Sequence, residues 1–210
     1  MLRRRLIIAA AAALIATGNA PALAQGPSAT ASVAVTEGSQ FVANLASRAV
    51  GELTTNDLPL PERVSRFRML LTEAFDVPAI GRFVLGRYWR MASEEERAEY
   101  LRLFEEFIVR TYVQRFNDFA GAQLKVLNTR TGQDSEVIST LEAVLPGRPP
   151  ARFDVRMRRE DGRFKIFDVV VEGISMSVTQ RDDFAAVIQR SGGKVEGLLA
   201  SLREKTKAGP

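Results

Sequence analysis

The hydrophobic period of this sequence changes at Gly121. Upstream, apolar side chains recur at helical spacing. Downstream they alternate, and helical spacing returns only after about residue 181. Neighbours at i, i+3 and i+4 share a helix face, whereas successive residues of a strand point to opposite faces, so neither pattern suits the other element. The chain therefore divides into helices, then a sheet, then helices, with no βαβ alternation. That order describes an α+β protein: a mostly antiparallel four-stranded sheet with helices packed on its apolar face.

Strands are expected at 123–130, 135–145, 151–159 and 163–172. Asp161-Gly162 is a two-residue hairpin turn. Regular pairing from that turn sets Arg159 against Phe164, Met157 against Ile166, Val155 against Asp168 and Phe153 against Val170. One face then collects Phe153, Val155, Met157, Phe164, Ile166 and Val170, with Asp168 as its one charged member. The other carries Arg152, Asp154, Arg156, Arg158 and Lys165. Directly paired residues share a face, and a one-residue slip would scramble this segregation. Gly173 is expected to kink the chain before Ile174.

The helices are set by their apolar stripes and their breakers. A first runs from Glu37 to about Thr54, with Phe41, Val42, Leu45 and Leu53 in register. A second, about 62–74, carries Val64, Phe67, Leu70 and Leu71 on one face. Asp76-Val77-Pro78 restarts a short helix through Ile80, Phe83 and Val84 that ends near Gly86. Ser93 and Glu96 form a capping box for a longer one, expected to reach Phe116, whose stripe includes Tyr100, Phe104, Phe107 and Ile108. Asp182 or Asp183 is expected to cap a helix ending at Gly192-Gly193, and Val195, Leu198, Leu199 and Leu202 mark the last.

The N-terminus reads as an export signal. Arg3, Arg4 and Arg5 precede an apolar run from Leu6 to Ala16, too short to span a bilayer, and Ala22-Leu23-Ala24 has the small-x-small pattern of a cleavage site. Residues 1–24 are thus expected to be a signal peptide, 25–36 a flexible tail, and 37–206 a single domain. Loss of the three arginines, with no acid removed, takes the formal net charge from +4 to +1. A strong positive surface, which nucleic-acid binding would need, is therefore not expected.

There is no histidine and no cysteine. Disulfides, Ser-His-Asp and Cys-His nucleophile systems and the usual zinc sites are excluded, and no carboxylate cluster has calcium-loop spacing. No cofactor is expected. The aromatics are 12 Phe against 3 Tyr and 1 Trp. Phenylalanine supplies apolar volume without a polar handle, which suits a large core or the lining of a cavity.

Three blocks carry a resemblance. The first is Phe75-Asp-Val-Pro-Ala-Ile-Gly-Arg-Phe-Val-Leu-Gly-Arg-Tyr-Trp-Arg90, followed by Ala92-Ser-Glu-Glu-Glu96 and a helix ending Arg110-Thr-Tyr112. The second is Asp168-Val-Val-Val-Glu-Gly-Ile-Ser-Met176 with Arg181, Phe184 and Ile188-Gln-Arg-Ser-Gly-Gly193. The third is Gly197-Leu-Leu-Ala-Ser-Leu-Arg203. In this order they resemble the MlaC, or toluene-tolerance, family. The resemblance implies a periplasmic phospholipid-binding carrier whose domain encloses a lipid cavity between sheet and helices. It implies as partners an inner-membrane ABC transporter lipid-transfer complex and an outer-membrane lipoprotein complex. A hopanoid-associated branch of the family is equally compatible with these blocks.

The physics of such a carrier is simple. At about 0.8 kcal/mol per methylene, an exposed acyl chain of roughly fifteen methylenes costs on the order of 12 kcal/mol, so an enclosed apolar pocket suffices and no catalyst is needed. Candidate pocket walls are the sheet residues Phe153, Val155, Met157, Phe164, Ile166, Val170 and the nearby Ile174. Facing them would be Tyr100, Phe104, Phe107 and Ile108, with Phe67, Leu71, Phe83, Val84, Tyr88 and Trp89 from the preceding segments. The same residues would equally make a solid core. Arg82, Arg87 and Arg90 surround Tyr88-Trp89 and suit a lipid phosphate at the pocket mouth, or are ordinary surface arginines. Two other functional readings stay open: a pocket enzyme acting on an apolar small molecule with Asp168 as base, or a periplasmic interaction protein with a filled core, and Asp168 itself equally reads as a strand carboxylate paired with an arginine.

Overall fold

A computed structural model of the protein describes residues 29–54, 58–113 and 121–207. The expected signal peptide and its cleavage site lie outside these residues. So does Phe116, the expected end of the long helix.

Among the described residues, six α-helices and five strands follow in the order α1 Ala29–Leu53, α2 Leu60–Ala74, α3 Val77–Leu85, a 3-10 turn Gly86–Arg90, α4 Glu94–Val113, β1 Gln123–Thr131, β2 Val137–Val144, β3 Ala151–Glu160, β4 Arg163–Val171, β5 Ile174–Ser175, α5 Met176–Arg190 and α6 Val195–Lys207. The sheet is an antiparallel meander in the order β1-β2-β3-β4-β5.

The sheet has five strands where four were expected. Glu172 and Gly173 both have positive φ, 51° and 81°, as do Asp161 and Gly162 at 47° and 79°. Each pair makes a tight turn of the kind that matches strand twist, so Gly173 reverses the chain instead of kinking it. β5 results, pairing Val170 with Ser175 and Val171 with Ile174. Further along the β4 edge, residues just after α2 meet it at one point: Phe75 bridges Ile166, and the Asp76 amide donates to the Ile166 carbonyl at 2.9 Å.

The hairpin register holds from the turn as far as Met157–Ile166 and then slips. Arg156 pairs with Asp168, Val155 with Val169 and Phe153 with Val171. Phe167 is the extra residue, a β-bulge. Two expectations are thereby corrected. Asp168 lies on the arginine face, and Val170, opposite Asp154, lies there too. Val169 takes the inner position and packs among the apolar residues.

α1 lies on the inner face of the sheet. Its stripe of Ala34, Phe41, Val42, Leu45 and Ala46 packs against Val137, Leu141, Val155, Met157, Phe164 and Ile166. Gly38 is the contact point: a Cβ there would stand 2.8 Å from Val137 Cγ1. Residues 29–36, expected as part of a loose tail, are therefore the first turns of this helix. The stripe is continued backwards by Gly38 and Ala34, small residues that bury little apolar surface but allow close approach.

The remaining helices form a second layer. The Ser93 amide donates to Glu96 at 2.8 Å and the Glu96 amide to Ser93 Oγ at 3.2 Å, the reciprocal box that starts α4. Asp76 Oδ1 accepts from the Ala79 amide at the start of α3. α5 is capped by Ser175 instead, seven residues before Asp182 and eight before Asp183, and its Oγ accepts from the Val178 amide. Phe184 of α5 is the hub, its ring 6.3, 6.2 and 5.6 Å from those of Tyr100, Phe104 and Phe107. The buried Tyr100 hydroxyl donates to the Gly81 carbonyl at 3.0 Å, joining α4 to α3.

Candidate functional site

The apolar interior is two clusters. The helical cluster buries Phe67, Leu71, Val84, Tyr88, Tyr100 and Phe104, with Trp89, Phe107 and Ile108 partly buried against it. The sheet cluster buries Val155, Met157, Phe164 and Ile166, with Phe153 partly buried. Three candidate residues belong to neither: Phe83 is 45% exposed, Ile174 is 62% exposed, and Val170 was turned to the outer face by the bulge. The β5 turn leaves Ile174 at the sheet edge, where nothing covers it.

Among the described residues, Leu45 of α1 and Phe75 after α2 pack against both clusters. They mark a seam. Sequence periodicity placed Leu45 on the α1 stripe but not at a boundary, because a boundary is a tertiary relation. Val169 was likewise missed as a cluster member.

Asp168 is engaged on the far side of the sheet from that seam. Its carboxylate accepts from Arg156 Nη1 at 3.4 Å, from Ser175 Oγ at 2.7 Å and from the Ser177 amide at 3.1 Å. Arg156 also pairs with Glu136. A buried carboxylate with three donors, one of them at a helix N-terminus, is an anchor between β4 and α5. It does not point into an apolar pocket, so the reading of Asp168 as a pocket base loses its geometry.

The outer arginines are largely spoken for. Arg158 pairs with Asp76 at 3.1 Å and Glu160 at 2.7 Å, and Phe167 stacks under both Arg156 and Arg158, at 5.0 and 5.3 Å. Arg152, held by Glu142 at 3.2 Å, keeps 71% of its side chain exposed.

Two clefts among the described residues bear on the site. The larger, about 540 Å³, runs between α2, α4 and α6 and is lined by Arg68, Glu105, Glu106, Arg110 and Arg203 among others. Its charges are cross-paired: Arg68 with Glu105 and Glu106, Arg110 with Glu106, and Arg203 with Glu99 and Glu196. Burial pulls the Glu106 carboxyl up, but Arg68 and Arg110 outweigh it and hold its pKa below the ordinary value. The smaller cleft, about 220 Å³, lies between the 3-10 turn and α5. Of the arginines flanking Tyr88-Trp89, Arg87 lines it, whereas Arg82 lies over the Trp89 ring at 5.5 Å.

An antiparallel meander with one long helix on its inner face, and a separate helical layer meeting it at a narrow seam, defines an α+β protein with two apolar half-cores. The chain belongs to the MlaC family: the MlaC protein family model matches residues 43–204. It is 21% identical over 128 residues to the intermembrane phospholipid transport system binding protein MlaC of Haemophilus influenzae, an alignment covering 59% of each chain. The match thus spans less than two thirds of that relative. The fold is also that of a phospholipid-binding protein from Ralstonia solanacearum, solved in complex with a phospholipid. That structure superimposes with a TM-score of 0.72 at 21% identity over 80% of this chain and 96% of the other.

Proposed function

We propose that the protein is a periplasmic phospholipid carrier whose acyl-chain site is the seam between its two apolar clusters. The observation that carries this reading is the division of the core, with Leu45 and Phe75 packed against both halves. Parting two layers along a narrow seam costs less than opening one continuous core. Hydrocarbon entering the gap packs against both walls in place of the opposite layer and stays out of water. The pocket walls are then the inner faces of the two clusters, Met157 and Ile166 on one side and Phe104 and Phe107 on the other. No side-chain catalyst takes part. The names of the relatives support phospholipid as the cargo and transfer between membranes as the task.

In this reading residues 1–24 direct export and are cleaved before Gln25. The carrier exchanges lipid with an inner-membrane ABC transporter complex and an outer-membrane lipoprotein complex. Organic extraction of purified protein, followed by mass spectrometry, tests the cargo. Phospholipid at about one per protein is expected. A hopanoid in its place redirects the cargo to the other branch, and folded protein that carries no lipid and takes none from vesicles overturns the reading.

A further inference from the structure

The smaller cleft has an apolar floor and a charged rim. Its floor is Leu85, Tyr88 and Ala185, all of which pack in the helical cluster. Its rim is Arg87, Arg181, Asp182 and Gln189. Arg87 lies over the Tyr88 ring at 4.9 Å, and its Nη2 donates to the Tyr88 hydroxyl at 2.9 Å. Gln189 lines the same rim from α5. Arg181 lies over the Phe83 ring at 5.3 Å. Among the described residues neither Arg87 nor Arg181 has a carboxylate within ion-pair distance, and Asp182, the one acid on the rim, pairs with neither. Arg48, Arg68, Arg156, Arg158 and Arg203, by contrast, each hold two carboxylates.

Gly86 makes room for this arrangement. Its φ of +58° ends α3 in a conformation side chains rarely adopt, and a Cβ on it would stand 2.9 Å from Arg181 Nε. The glycine therefore allows the Arg181 guanidinium to lie against the backbone that leads into Arg87. Two guanidiniums left without carboxylates on the rim of one cleft, one of them donating to the Tyr88 hydroxyl, above an apolar floor, match a group that is anionic at one end and hydrocarbon at the other. We propose that Arg87, Arg181, the Tyr88 hydroxyl and Gln189 form a phosphodiester subsite that receives the headgroup phosphate of the bound lipid. The arginines supply forked N–H donors to its non-bridging oxygens. The subsite rests on the carrier reading above for the source of its phosphate.

Three probes separate the possibilities: dioctanoyl-phosphatidylglycerol, dioctanoylglycerol without the phosphate, and glycerophosphoglycerol without the acyl chains. Arginine Nε–H resonances are followed by NMR during titration of the full mature protein. Phosphatidylglycerol is expected to shift the Arg87 and Arg181 signals, and dioctanoylglycerol to leave them in place. Arg181→Gln and, on a different element, Arg87→Gln should each weaken phosphatidylglycerol binding by roughly tenfold, equivalent to about 1.4 kcal/mol, without changing dioctanoylglycerol binding. If glycerophosphoglycerol shifts the same signals while neither lipid binds, the subsite stands and the carrier reading fails. If both lipids bind and the variants weaken both equally or neither, the subsite is overturned and the carrier stands. If no probe moves the arginine signals, the subsite is likewise overturned.

Discussion

Arg156 of β3 faces Asp168 of β4, 3.4 Å apart, because Phe167 is bulged out of the ladder between them. Without the extra residue Asp168 would point at the apolar cluster beneath α1. With it, the carboxylate joins Arg156, Ser175 and the first turn of α5 in one network.

The arginines of that face should consequently differ in kind. Arg156→Glu sets a third acid beside Glu136 and Asp168, and is expected to cost roughly 2–4 kcal/mol of stability. Arg152→Glu, at a largely exposed position, should change stability by less than about 0.5 kcal/mol. If the outer face docks on a membrane complex, Arg152→Glu weakens that binding while the melting temperature holds. Urea unfolding and a pull-down on the same preparations check both statements.

Gly38→Ala tests the seat of α1. Alanine in place of a mid-helix glycine ordinarily gains about 1 kcal/mol. Here the new methyl meets Val137, a β-branched side chain with little rotamer freedom, at 2.8 Å. The expected outcome is a net loss of about 1–2 kcal/mol by chemical denaturation. A gain would mean that α1 does not sit as closely as the geometry indicates.

Leu45→Asp places a charge at the seam. Leu45 is half-buried, so the folded protein is expected to survive with a modest loss of stability. Hydrocarbon entering beside a carboxylate would have to strip its water. Co-purified lipid, measured by mass spectrometry, should fall several-fold, and unchanged lipid would move the acyl chains away from this seam.

Acid should loosen the helical layer through Glu106. Burial pulls its pKa up, but Arg68 and Arg110 prevail and hold it below the ordinary carboxylate value. A depressed folded-state pKa contributes stability that is fully present above the unfolded value and lost as pH falls through the folded one. Glu106→Gln should therefore cost roughly 1 kcal/mol at pH 7 and flatten the loss of stability below about pH 4.5. Denaturation midpoints between pH 7 and pH 3 give the comparison.

What could be read in advance was local. The Ser93–Glu96 box depends on a three-residue spacing, and the Asp161-Gly162 turn fixes the register of its neighbours. The bulge was hidden because Val169, Val170 and Val171 are alike, so either register fills the inner face with valine. The misplaced Asp168 was the one sign of it. The start of α1 was hidden because Ala34 and Gly38 act by being small, which no hydrophobic pattern registers. The two-cluster division was not legible at all, since Leu45 and Phe75 owe their position to elements far apart in the chain.

The seat of Gly38 on Val137 also sets an order of events. α1, the first helix among the described residues, has its partner roughly a hundred residues further along, a non-local closure of the kind that slows folding. Until β2 arrives, α1 presents Phe41, Val42 and Leu45 to whatever else is near. A chaperone that holds the newly made chain would find its handle on this helix, and would lose it when the sheet closes over it.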